Sequence, residues 1–206
     1  MLENIGRRAR LLALGCGVAC VPAASGTAQI SADRTPAGTY QVSICGGVCA
    51  ADGSNVLVTG LLVITAQTFT LERLSEAGQR HLRQSSQWML VDLEEFDRQP
   101  NACFALQSRP GEGASSMAGT APMGITAWRS SERGIAMPLW VSPDAGYAAE
   151  LGPVGRDLKG SGFTWGMSGG YRQTTETIIA TYVGPPDLDR CLRVIEDEAA
   201  RSVRRN

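Results

Sequence analysis

The chain has almost no lysine or histidine: Lys159 and His81 are the only ones among 206 residues. No run of arginines makes up the deficit, and the formal net charge is −1. Nucleic-acid binding needs a cationic face, so this composition argues against that class of partner. Long apolar runs are also missing. The longest, Leu11 to Val21, is about half of the ~20 residues that a membrane-spanning helix requires. There is no internal repeat and no long low-complexity tract. No two cysteines have the two-residue spacing of a thioredoxin-like site, and beyond residue 28 only Cys45 and Cys49 are closely spaced, so no second short-spaced pair completes a zinc site there.

What the N-terminus does contain is ordered. Arg7, Arg8 and Arg10 precede the apolar run, and small residues follow as far as Gly26-Thr27-Ala28. That is the layout of a bacterial secretory signal over residues 1–28, with cleavage expected after Ala28. A second route is a lipid anchor on Cys20, because Gly17-Val18-Ala19-Cys20 approaches a lipobox while lacking its usual leucine. The paired arginines also resemble a twin-arginine signal. Removing residues 1–28 takes away Arg7, Arg8, Arg10 and Glu3, which leaves 16 basic against 19 acidic side chains. What remains is enough chain for one domain with a sizeable core.

Four cysteines stay behind: Cys45, Cys49, Cys103 and Cys191. An even number in an exported chain predicts two disulfides rather than a metal site. Three connectivities can be drawn. The preferred one closes the Ser43–Gly53 region through Cys45–Cys49 and ties the C-terminal segment to the middle through Cys103–Cys191.

The body of the chain reads as short strands separated by turns. Tyr40, Val42 and Ile44 alternate, and Asp52-Gly53 signals a hairpin. The stretch NVLVTGLLVIT from Asn55 is apolar at both parities, so it predicts a strand covered on both sides. Leu71, Leu74, Gly78 and Leu82 fall on a helical stripe and predict a short mid-chain helix. Strands are expected over 88–93, 102–107, 125–131, 135–141, 147–151, 158–167 and 174–183, with a loop over 108–124. Pro138 demotes its strand to an edge or a bulge. In residues 162–168 the large side chains share one face, which predicts a half-buried strand. Trp128, Trp140 and Trp165 are expected in strands as core. Beyond Pro185-Pro186, Asp187 or Asp189 caps a helix with Leu188, Leu192, Ile195, Ala199 and Val203 as its apolar stripe. Its acidic run Glu196-Asp197-Glu198 is expected on the wet side. The fold class is therefore all-β: an antiparallel barrel, or alternatively a sandwich, over 29–186 with a helix over 187–206.

An export signal, Gly38-Thr39-Tyr40 opening the first strand, and roughly eight antiparallel strands before a C-terminal helix resemble the lipocalin-type barrels. Tyr40 stands where that family carries tryptophan. The resemblance implies a barrel and a small apolar ligand inside it. An eight-stranded barrel can equally be filled by its own side chains. The chain is similar, too, to small exported bacterial proteins without an assigned activity.

One catalytic string stands out. Gly166-Met167-Ser168-Gly169-Gly170 fits Gly-x-Ser-x-Gly and resembles the serine segment of chymotrypsin-like proteases. With His81 first and Asp92 or Asp144 next, the order also matches. Against it, a nucleophile elbow needs a helix after the serine, and Tyr171 to Val183 alternates as a strand. Met167 replaces the protease aspartate, and His81 lies in a charged helical stretch where a solvated helix face is expected. Glu94-Glu95 falls at a strand end. The reading is an exported, non-catalytic binding or structural module of the cell envelope, with no cofactor and no metal. Its candidate partners are a small apolar ligand or an envelope protein. The alternative is a serine hydrolase using Ser168 and His81.

Overall fold

The computed structural model describes residues 36–84, 88–90, 100–108, 123–141, 145–166 and 170–205. The expected signal, Cys20 and Ser168 lie outside them. The described chain forms strands β1 (Gly38–Cys45) and β2 (Val56–Ile64), a single 3-10 turn (Leu71–Arg73), helix α1 (Glu76–Gln84), β3 (Trp88–Leu90), β4 (Ala102–Ser108) and β5 (Met123–Thr126). Strands β6 (Arg129–Ser131), β7 (Gly134–Val141), β8 (Ala145–Val154), β9 (Asp157–Gly166) and β10 (Arg172–Gly184) follow, and α2 (Leu188–Arg205) ends the fold. All ten strands belong to one sheet in the order β3-β5-β4-β2-β1-β10-β9-β8-β7-β6. Nine run antiparallel to their neighbours, and β3 adds to β5 in parallel at the edge.

A single expected strand over 125–131 proves to be two, at opposite ends of that order. β5 lies next to one edge and β6 forms the other, yet only Ala127 and Trp128 join them. Two residues span at most about 7 Å of extended chain. The sheet must therefore curl until its ends meet, and β5 and β7 do approach one another. Asn101 pins the crossing. Its N–H donates to Thr126 O (3.1 Å), and its side-chain Oδ1 accepts from the N–H of Trp128 (2.8 Å). Among the described residues no ladder joins β5 to β6 or β7, and the sheet they form is a curled half-barrel. Trp128 lies in this link rather than in a strand.

Two cores result. Inside the curl, Tyr40, Val42 and Ile44 of β1 meet Val58, Leu62 and Ile64 of β2, Phe104 and Leu106 of β4, and the inward side chains of β7 to β10. The other parity of β2, Leu61 and Val63, faces outward beneath the two helices with Cys103, Ala105, Met123, Ile125, Leu74, Leu82, Leu188, Leu192 and Ile195. The two-sided apolar pattern of β2 thus has a direct cause: like β4 beside it, this strand is covered on both faces along most of its length. Pro138 is placed as its chemistry demands. β6 pairs only with residues 134–136 of β7, and the register slips between Pro138 and Trp140.

Helix α2 starts where Asp187 Oδ1 accepts from the N–H of Arg190 (3.0 Å), an N-cap. Asp189 instead pairs with Arg73. Leu188, Leu192, Ile195 and Ala199 are buried as expected, whereas Val203 is 71% exposed because the helix has outrun the sheet by its last turn. Of the acidic run, Asp197 is exposed as expected, and Glu196 is half-buried and engaged by α1. It accepts from Ser75 N–H and Ser75 Oγ–H, both 2.6 Å, at the start of α1. A carboxylate there satisfies orphan donors and faces the positive end of the helix dipole.

At the end of the curl where β1 begins, the buried Tyr40 hydroxyl donates to Pro36 O (2.8 Å), and its ring meets Tyr182 edge-on at 5.7 Å. Burial, then the neighbouring Tyr182 and Asp157, push its pKa from 10.0 up to about 12. A raised folded-state pKa contributes stability that is whole below pH 10 and is lost as pH rises through about 12. The urea midpoint should accordingly fall across that window, and Tyr40→Phe should make the fall shallower. Identical pH profiles for the two proteins would exclude Tyr40 as a source.

Candidate functional site

The strand registers bring four chain exits to one end of the curl. Cys45 of β1, Ser108 of β4, Val141 of β7 and Gly166 of β9 all point their chain exits there. In β-sheet folds such rims carry recognition, because loops vary while the strands hold them in place.

One rim segment is described in full. Cys45 and Cys49 are bridged, with Cα atoms 5.2 Å apart. Gly47 takes the left-handed φ of +82° that this five-residue loop needs. Asn55 ties the loop from within: its Nδ2 donates to Gly46 O (3.1 Å) and Val48 O (2.7 Å), and its Oδ1 accepts from Ala50 N–H (2.8 Å). Cys45 and Cys49 are therefore a staple, and Val48 between them is 82% exposed. The second bridge joins Cys103 of β4 to Cys191 of α2.

Just inside the rim, β10 places Glu176 in the interior at 6% exposure, where Tyr147 Oη donates to its Oε2 at 2.9 Å. Burial and the adjacent carboxylate both push the Tyr147 pKa well above its ordinary 10.0, since each disfavours a phenolate. Glu176 was missed by reading the sequence for motifs. The signal was its parity: Glu176, Ile178 and Ala180 share a face, so an acid sits on an apolar stripe. A buried acid with a hydroxyl partner can orient a polar group at the rim.

In β9 the large and small residues take opposite faces, as expected. Its large residues, Phe163 and Trp165, face outward, while Gly160, Gly162 and Thr164 face in. Gly162 leaves room for Tyr147; a Cβ on it would lie 2.0 Å from the Tyr147 hydroxyl. Outside, Tyr171 stacks on Phe163 at 4.9 Å with the planes 12° apart, and Tyr171 remains 63% exposed. Burial and then Glu150 raise its pKa, with Arg129 opposing.

The hydrolase residues are not brought together by anything described. His81 is half-buried on α1 rather than solvated, and α1 packs against α2 and β3 on the outer side of the sheet. Ser168, Asp92, Asp144 and the pair Glu94-Glu95 fall outside the described residues. Among the described residues no group of three or more His, Cys, Asp or Glu side chains is placed to hold a metal ion. Trp140 and Trp165 are half-buried, in β7 and β9.

No family model, no curated protein and no solved structure matches this chain.

Proposed function

We propose that the chain is an exported, non-catalytic module of the cell envelope that binds or supports through its rim and outer surface. The observation that carries this reading is the state of the interior. Ile44, Phe104, Met137, Tyr147, Leu151 and Ile178 are all fully buried inside the curl, so its own side chains occupy the space where a barrel carrier would hold a ligand. Each such side chain contributes about 1.5–3 kcal/mol by being buried, so emptying the space for a guest would cost more than a small apolar ligand returns. The two-residue passage from β5 to β6 supports taking the half-barrel as a closed barrel. The two disulfides suit an oxidising compartment. No described helix is long and apolar enough to cross a membrane.

Two titrations test this against its rivals. An apolar fluorescent probe should show no saturable one-to-one binding to the folded chain; stoichiometric binding would restore the carrier reading. A fluorophosphonate should leave Ser168 unlabelled. Labelling that Ser168→Ala abolishes would establish the hydrolase instead.

A further inference from the structure

The outer face of β7, β8 and β9 is built unlike the rest of the sheet. The registers align Pro138, Ala148 and Phe163 in one row, and Ala136, Glu150 and Ser161 in the next. Arg129 extends the second row on β6. Small residues thus floor this face, and two aromatic rings lie on it. Tyr171 lies parallel to Phe163. Trp165 lies against Gly146: an added Cβ there would be 2.0, 2.3 and 2.5 Å from three consecutive ring atoms. Near-equal closeness to three bonded atoms means that Gly146 faces the flat of the indole, since an edge would bring one atom much closer than its neighbours. Trp165 therefore turns one face to β8, and Tyr171 turns one face to the ring of Phe163.

Polar groups border the rings. Glu150 lies 3.9 Å from Arg133, and Glu150 and Arg129 both act electrostatically on the Tyr171 hydroxyl. Ser161 Oγ accepts from Gln173 Nε2 at 3.0 Å. A core would bury such rings with aliphatic neighbours, and a protein hot spot centres on a desolvated pocket. One aromatic face laid over Gly146 and another laid over Phe163, edged by a carboxylate, guanidinium groups and an amide, suit a different ligand. The C–H face of a pyranose stacks on the electron-rich face of an aromatic ring, while its hydroxyls meet the polar edge. Arg129 and Arg133 add cationic partners for carboxylate substituents along the ligand.

We propose that this face docks a glycan strand of the cell wall, an amino-sugar polymer bearing carboxylates, with Tyr171 and Trp165 as its stacking platform. The proposal rests on the reading of the chain as an exported binding module and names its ligand. Purified peptidoglycan sacculi provide the test, by co-sedimentation of the purified disulfide-bonded chain in moderate salt. The intact chain should sediment, and soluble muramidase-released strands should compete it off. Tyr171→Ala, at an exposed side chain, should keep the native circular dichroism and thermal midpoint and bind at least tenfold more weakly; Tyr171→Phe should bind as the parent does. Trp165→Ala, if it folds, should match Tyr171→Ala. An intact chain that stays in solution overturns the glycan proposal while leaving the module reading, tested by the two titrations above, in place. Sedimentation undiminished by Tyr171→Ala overturns it as well, placing the contact elsewhere. A concentration-dependent dimer lost in Tyr171→Ala would assign the face to a second copy of the chain.

Discussion

Replacing Cys103 and Cys191 together by alanine should lower the free energy of unfolding by about 4–5 kcal/mol. The bridge spans 88 positions and joins β4, in the middle of the sheet, to α2 at the end of the chain. Cross-linking so long a loop removes much of the freedom of the unfolded chain. Both half-cystines are fully buried between β2, β4 and the helices, so the variant also leaves a gap under α2. Against a total stability of about 5–15 kcal/mol, that is a large share. The same argument assigns only about 2 kcal/mol to Cys45–Cys49, which spans four positions. Urea midpoints of the two double variants, measured side by side, separate the cases. Equal losses would refute loop length as the source of the difference. A selective loss of helical signal in the Cys103/Cys191 variant would show α2 leaving the sheet first.

Gly160→Ala should cost about 3 kcal/mol or more, enough to deplete the soluble folded protein at 37 °C. The position is inward on β9, opposite Leu151. A Cβ there would sit 1.8 Å from the backbone oxygen of Glu150, where contacts under 3.0 Å do not occur. The obstacle is main chain, so no rotamer change relieves it; β8 and β9 must separate or the curl must open. Gly155→Ala is the comparison, in the turn between the same strands, where an added Cβ meets nothing and only the φ of +65° resists. Thermal unfolding of the pair should show a much larger drop for Gly160→Ala. Equal drops would mean that the close approach of β8 to β9 does not control the fold.

Much of this architecture was legible in one dimension because its causes are local. Alternation in β1, the Asp52-Gly53 turn, the helical stripe through Leu74 and Leu82, and the cap at Asp187 each depend on neighbours within a few positions. The two-sided apolar stretch of β2 announced its double cover, and an even cysteine count announced two staples. The candidate site was harder to read. Gly-x-Ser-x-Gly drew attention to residues 166–170, whereas the buried acid at Glu176 and the outward rings of β9 carry no motif. Alternation says that Phe163 and Trp165 share a face; it does not say which face is inside.

By itself the sequence determined the element types, the expectation of two disulfides and the lack of a cationic run or of an apolar run of about 20 residues, since each follows from composition or short-range spacing. The tertiary structure alone decided that adjacent segments 123–126 and 129–131 go to opposite ends of one sheet, and that the glycines of β9 point inward while its aromatics point out. It also set Glu196 on the first turn of α1. These are long-range choices. They depend on which surfaces remain after the whole sheet has curled, and a strand pattern of period two is unchanged when its faces are exchanged.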